Sequence, residues 1–189
     1  AKPNFKDHFE MLPLLKELKK QKLADKIYFC GPLAILNAQN MMREHKWLDG
    51  IIIDQLESTG LRLIDFLRGK NSIWPDGGIW RNEFGKISRY IKSDICLDIN
   101  SLPRPARDLE KTEQGAYINI EASRGCYSNC SFCHIPLIRK INGRSARIDA
   151  RDPKSVVDEM EFLKNKLGKT LFIFNDSCFW SSPNDNERM

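Results

Sequence analysis

The sequence contains no run approaching the ~20 apolar residues of a membrane-spanning helix, and no charged-then-apolar leader opens it. It has no internal repeat and no low-complexity segment. Neither sign of charge dominates: 30 Lys+Arg against 25 Asp+Glu leave +5. Basic residues are not interleaved with aromatics as in a nucleic-acid groove, so neither a nucleic acid nor a membrane is expected as partner. Six cysteines without a secretory leader point to a reducing compartment, the cytoplasm. The 189 residues allow one domain or two small ones. The first residue is Ala1 rather than Met, and the sequence stops soon after an apolar stretch at 171–174, so both ends read as cut.

What is present is concentrated in one place. Cys126, Cys130 and Cys133 fall within Glu121-Ala-Ser-Arg-Gly-Cys126-Tyr-Ser-Asn-Cys130-Ser-Phe-Cys133-His-Ile-Pro136. This C-x3-C-x2-C spacing can place three thiolates around one iron–sulfur cluster and leave its fourth corner without a protein ligand. Closed four-ligand sites are structural, whereas reactive metal sites keep a position open. Two other readings stay open: a zinc knuckle, for which only Cys130 and Cys133 supply a pair, and free thiols. Cys30, Cys96 and Cys178 are scattered singly and read as small buried apolar residues. Arg139, Lys140, Arg144, Arg147 and Arg151 follow the loop and read as a solvated face or, second, a surface for an anionic substrate.

Residues 9–22 carry Leu12, Leu15 and Leu18 among charges, with Leu23 directly after, which predicts a one-sided helix. A short strand at 27–30, a Gly31-Pro32 turn and a second helix at 35–46 follow. After Asp49-Gly50 comes a strand at 51–53. Ser58 or Thr59 is expected to cap a helix through Arg68, apolar at Leu63, Ile64 and Leu67 and stopped by Gly69. Strand alternating with helix predicts a parallel, Rossmann-like sheet. Residues 71–90 read as a hairpin turning at Asn82 to Gly85. Pro103 and Pro105 stiffen 101–105, where the domain boundary is placed. Beyond it, a strand at 116–120 delivers the cysteine loop. Asp152 and Pro153 open a helix with Val156, Met160, Leu163 and Leu167 on one face; Gly168 closes it, and a strand at 171–174 follows. Strand, loop, helix, strand is the opening βα unit of an α/β barrel, whose ligand-bearing loops sit at the C-terminal ends of the strands.

The cysteine loop, with Phe132 just before its third Cys, resembles that of the radical S-adenosylmethionine (SAM) enzymes. Its lead-in Glu-Ala-Ser-Arg-Gly-Cys-Tyr is similar to the branch whose barrel follows a cobalamin-binding domain. Arg151-Asp-Pro-Lys-Ser-Val-Val-Asp-Glu-Met160 resembles that branch's first barrel helix, and Leu171-Phe-Ile-Phe-Asn-Asp-Ser-Cys-Phe179 its second strand. The resemblance implies a 4Fe–4S cluster on Cys126, Cys130 and Cys133, SAM bound at the open iron, and an electron donor such as flavodoxin or ferredoxin. It implies reductive cleavage of SAM to a 5′-deoxyadenosyl radical, with the substrate unassigned and methyl transfer as one outcome. Phe132 matches the position beside the adenine; a plain core aromatic is the other reading. Asp176 stands where the branch has an acidic pair near the SAM methionyl group, with helix capping or a surface carboxylate as alternatives. Arg124 is expected to pair with Glu121, and His134 either faces a cluster sulfur or the surface.

Upstream the pattern departs from the branch. The D-x-H-x-x-G motif for the lower face of cobalamin is missing, and His8 reads as a solvent-facing helix-start residue. Cys30-Gly31-Pro32-Leu-Ala34 replaces a Gly-Gly-Pro-His-Ala turn, and of a Gly-Glu-Gly-Glu run only Glu57 remains in Asp54-Gln-Leu-Glu57. These departures predict weak cobalamin binding or none. The expected architecture is α/β: residues 1–105 as a partial cobalamin-domain-like Rossmann sheet with a hairpin linker, and 110–189 as the opening βαβ unit of a partial radical SAM TIM barrel. So short a barrel segment is expected to be a poor enzyme alone. The competing class is a non-catalytic iron–sulfur electron-transfer or zinc-binding module, which a fourth nearby ligand would favour.

Overall fold

The computed structural model describes residues 5–95, 97–107, 117–145 and 147–179, with side chains from residue 11 onward. Cys96 and the side chain of His8 lie outside this set. The chain divides into two compact units, Ala1–Ile95 and Cys96–Met189, so the division falls upstream of Pro103 and Pro105.

The first unit is a three-stranded sheet with helices. Helix α1 spans Phe5–Lys20, β1 Tyr28–Phe29, α2 Pro32–Leu36, α3 Ala38–Glu44, β2 Gly50–Ile52, α4 Leu56–Leu67 and β3 Gly78–Trp80. Strands β1 and β2 are parallel, whereas β3 runs antiparallel to β2 in the register Ile51↔Ile79. Successive isoleucines face opposite sides. Ile51 and Ile53 join Phe29, Ala34, Met42 and Leu48 in one core, against which Leu12 and Leu15 of α1 pack. Ile52 joins Leu63 and Trp80 in the other. A strand covered on both faces needs no polar alternation, which is why Ile51-Ile52-Ile53 is an unbroken apolar run. Asp49, just before β2, ties the layers together. It accepts the Ile27 N–H at 2.8 Å and pairs with Lys26 at 3.3 Å and with Lys19.

Several expectations are corrected here. Pro32 is the first residue of α2 rather than part of a free turn, because a proline in the first helical turn sacrifices no hydrogen bond. The second predicted helix is two helices broken at Asn37. Ser58 and Thr59 do not cap α4: it begins at Leu56, and both lie buried inside it. Of its expected apolar face only Leu63 is buried, while Ile64 and Leu67 are exposed, as is Leu23 after α1. Cys30 is exposed rather than buried. The segment 71–90 does turn at Asn82 to Gly85, but its first arm, β3, completes the sheet, and the return arm is reduced to the bridge Arg81↔Ile87.

Tyr28 gives this unit a titration signature. Its ring meets Trp80 edge-on with centroids 6.0 Å apart, and its buried hydroxyl has no hydrogen-bond partner among the described residues. Burial, followed by the Asp49 charge, pushes the hydroxyl from 10.0 up to about 12. The folded chain therefore holds this proton more tightly than the unfolded one. Stability is complete below about pH 10 and declines as pH rises towards about 12. Tyr28→Phe should leave the urea midpoint almost unchanged near neutrality and flatten the decline at alkaline pH. Equal alkaline declines in both proteins would assign the effect to other groups.

The second unit begins with a 3-10 turn at Ile99–Ser101 and contains β4 (Ile118–Ile120), β5 (Ser123–Gly125), α5 (His134–Ile141), β6 (Ile148–Ala150), α6 (Pro153–Leu167) and β7 (Phe172–Phe174). Strands β4 and β7 pair in parallel, with α6 in the connection between them, while β5 and β6 pair antiparallel. Helix α6 starts and stops on local signals. The Asp152 carboxylate accepts the Lys154 N–H, Pro153 occupies the first turn, and Gly168 closes the helix in the left-handed region. Its buried side chains are Val156, Glu159 and Leu163, so a carboxylate sits within the apolar stripe. Glu159 lies between Arg107 at 3.3 Å and Arg151 at 2.7 Å.

Candidate functional site

Everything around the three cysteines follows from how β5 releases the chain. Gly125, the last residue of β5, has φ +95°, and a Cβ there would stand 2.5 Å from the Arg147 carbonyl oxygen across the pair. Only glycine accepts both that backbone conformation and that approach. Cys126 follows at once. The loop from there to Cys133 returns as α5, with Cys133 in the extended conformation of a helix-capping residue and its N–H bonded to the Cys130 carbonyl at 3.1 Å. Pro136 falls in the first turn of α5, where its missing N–H costs nothing.

Arg139, in the second turn of α5, reaches back into the loop. It donates to the Cys126 carbonyl at 2.9 Å, to the Ser128 carbonyl at 3.5 Å, and to the Asn129 side-chain oxygen. A guanidinium has five donors in a rigid fork, which lets one residue fasten several acceptors of a loop that has no ladder of its own. The Ser128 N–H approaches the Cys126 sulfur at 3.4 Å. All three loop thiols are free, Cys130 exposed and the others half-buried. Among the described residues, no three His, Cys, Asp or Glu side chains gather around one point as a single ion would require. A cleft of about 360 Å³ is lined by Cys130, Cys133, Pro136, Leu137, Lys140 and Arg144.

The basic run is not one solvated face. Arg139 is spent on the loop. Arg147 pairs with Asp149 at 2.7 Å, and Arg151 is a half-buried partner of Glu159 and of the Glu121 carbonyl. Lys140 and Arg144 line the cleft beside Arg139. Arg124 pairs with Glu121 at 2.8 Å, as expected. Phe132 is 91% exposed, which removes the core-aromatic reading. His134 is the first residue of α5 and is half-buried. Asp176, just past β7, is neither a helix cap nor a bare surface carboxylate: it bonds the Ala122 N–H and the Ser123 hydroxyl. The Arg139 contacts are not legible in the sequence, because two of their three acceptors are backbone carbonyls, which any residue supplies.

In the first unit, the ends of β1 and β2 are where a Rossmann-type sheet takes a ligand. Gly31 has φ +94° and open space where a Cβ would stand. Asp54, past β2, is already occupied by the Tyr90 hydroxyl at 2.8 Å and the Ser93 N–H at 2.7 Å. The chain's three histidines are His8, His45 and His134, none at either strand end, so no imidazole ligand for cobalt stands there.

No family model matches the chain. A putative methylthiotransferase of Methanocaldococcus jannaschii is 29% identical over 170 residues, which covers 87% of this chain and 33% of that protein. A tRNA-2-methylthio-N(6)-dimethylallyladenosine synthase of Karelsulcia muelleri is 30% identical over 127 residues, 63% of this chain and 25% of that one. Among solved structures, the cobalamin-dependent SAM radical enzyme OxsB with aqua-cobalamin bound superposes with TM-score 0.69 at 18% identity, covering 95% of this chain and 25% of that chain. In fold the chain therefore resembles a cobalamin-dependent radical SAM enzyme, and along most of its sequence it resembles a putative methylthiotransferase. It spans a third or less of the length of each protein named here. No helix among the described residues is long and apolar enough to cross a membrane.

Proposed function

We propose that this chain carries the cluster-binding part of a radical SAM enzyme, with Cys126, Cys130 and Cys133 as the three protein ligands of a 4Fe–4S cluster. On this reading the second unit is the opening βαβ unit of a partial TIM barrel and the first a reduced cobalamin-binding-like Rossmann sheet. The observation that carries the proposal is the loop itself: three free thiols within eight residues, anchored by Gly125 at one end and by Arg139 on the helix that starts at the other. Thiolates are the donors that iron–sulfur clusters take, and a four-iron cluster asks for thiolates at separate corners rather than for donors converging on one point. When bound, such a cluster supplies one electron at an iron without a protein thiolate, the chemistry that splits the C–S bond of SAM.

The chain's own residues hold and orient. Arg139 and Gly125 fix the path of the loop, and Phe132 offers an exposed aromatic face to an adenine. The two sequence relatives named above bear methylthio-transfer names and a third a methyltransferase name, which supports transfer of a methyl or methylthio group to an unassigned substrate. The electron would come from a flavodoxin or ferredoxin. The reading does not depend on cobalamin, since neither strand end of the first unit carries a histidine to ligate cobalt. The alternative reading, a closed zinc or electron-transfer module, needs a fourth protein ligand.

Anaerobic reconstitution with iron and sulfide should give a charge-transfer absorbance that Cys126→Ala, Cys130→Ala or Cys133→Ala each abolishes and Cys30→Ala leaves intact. Stoichiometric zinc and no iron after anaerobic purification would sink the proposal.

A further inference from the structure

The bonds of Asp176 point away from the role that its position suggests. Its Oδ1 accepts the Ala122 N–H at 2.9 Å, and its Oδ2 accepts the hydroxyl of Ser123, the buried first residue of β5, at 2.6 Å. One residue earlier, the Asn175 N–H donates to the Ile120 carbonyl at 2.9 Å. On the other side of the same segment, the Ala122 carbonyl accepts the Arg151 N–H at 2.8 Å. The stretch between β4 and β5 is thus gripped from both flanks, and it ends four residues before Cys126.

A carboxylate suits this place for a physical reason. At Ala122 the chain has left the β4/β7 sheet and has not yet entered the β5/β6 pair, so its N–H has no strand partner and needs an acceptor from elsewhere. A charged acceptor makes shorter and stronger bonds than a neutral one, and the 2.6 Å Ser123 bond lies in the range of hydroxyl to carboxylate. With β4 and β7 in register from Ile118↔Phe172 to Ile120↔Phe174, the first carboxylate past β7 lies level with the turn out of β4.

We propose that Asp176 is a positioning residue for the cysteine loop: through Ala122 and Ser123 it fixes the direction in which β5 delivers Cys126, and it does not act by touching SAM. The inference rests on the reading of that loop as a cluster site. Asparagine keeps an acceptor for the Ala122 N–H, and the Ser123 hydroxyl can still bond to an amide. Asp176→Asn is therefore a conservative replacement for a positioning residue, but not for a group that must hold a cation by its charge.

The test compares Asp176→Ala, Asp176→Asn and Ser123→Ala in the full chain. Three quantities are measured: cluster half-life under an iron chelator, SAM affinity of the cluster-loaded protein, and hydrogen exchange of the Ala122 amide in cluster-free protein. Asp176→Ala should shorten the half-life about tenfold and Ser123→Ala about threefold, with non-additive effects in the double variant. Asp176→Asn should stay within about twofold of the parent in both half-life and SAM affinity, as loss of a neutralisable bond partner rather than of a charge predicts. The Ala122 amide should exchange faster in Asp176→Ala and not in Asp176→Asn. A tenfold loss of SAM affinity in Asp176→Asn with unchanged half-life would overturn the proposal, and so would unchanged amide exchange in Asp176→Ala. If the parent chain takes up no cluster, the site reading fails, and the exchange measurement still decides whether Asp176 holds the segment.

Discussion

Glu159→Ala should cost about 3–5 kcal/mol of folding stability, the scale found when one partner of a buried ion pair is removed. The carboxylate is 2% exposed, and its two arginine partners are 15% and 12% exposed at the side chain. Removing it leaves two guanidiniums facing each other across a hole with no anion between them. The contact with Arg151 is a close approach of charges rather than an aligned hydrogen bond, so most of its value is electrostatic. The damage would spread. Arg107 also donates to the Asn119 carbonyl of β4 at 2.9 Å, and Arg151 to the Glu121 carbonyl at 2.8 Å. Glu159→Gln keeps the shape and loses the charge, so it should fall between alanine and the parent. Urea unfolding followed by circular dichroism measures all three, and a loss below about 1 kcal/mol for alanine would mean that the arginines find water instead.

Gly125→Ala should sharply lower the iron that the chain takes up on anaerobic reconstitution, if the cysteine loop is a cluster site as proposed. The added Cβ stands 2.5 Å from the Arg147 carbonyl oxygen, and at φ +95° it belongs to a conformation that L residues avoid. Strain of that kind is worth about 1–3 kcal/mol by itself. The clash is with backbone, so no side-chain rotation relieves it, and β5 must part from β6 just before Cys126. Gly168→Ala is the matched control. Its φ is also positive, at +64°, but nothing lies within 4 Å of the new atom. It should lower stability slightly and leave iron content alone. Equal iron content in both variants would show that the β5/β6 pair does not govern the loop.

How much of this was legible from residues alone depended on where the partners lie. Helix α6 was legible because Asp152, Pro153 and Gly168 act within one turn of themselves. The cysteine loop was legible because its donors are neighbours in sequence. Asp176 was legible as a position but not as an acceptor, since Ala122 and Ser123 are more than fifty residues away. The basic run was misread because charge composition says nothing about pairing; Arg139 and Arg151 each find partners across a helix or a strand. Ser58 and Thr59 looked like caps by residue type, but α4 had already begun at Leu56, so both fall inside its first turn. Glu159 did leave a trace: it lies three residues after Val156 and four before Leu163, on the stripe expected to be apolar, and a carboxylate there announces a partner.

The pairing of Gly125 with Ile148 has an engineering meaning. The loop and α5 leave and rejoin the chain at two residues that face each other, so together they form a detachable cassette plugged into a socket of two short strands. The entropic cost of closing such an excursion rises only with the logarithm of its length. Segments of other lengths, with other spacings of cysteine, should therefore be accommodated between Gly125 and Ile148 at small entropic cost, with β4, α6 and β7 left in place.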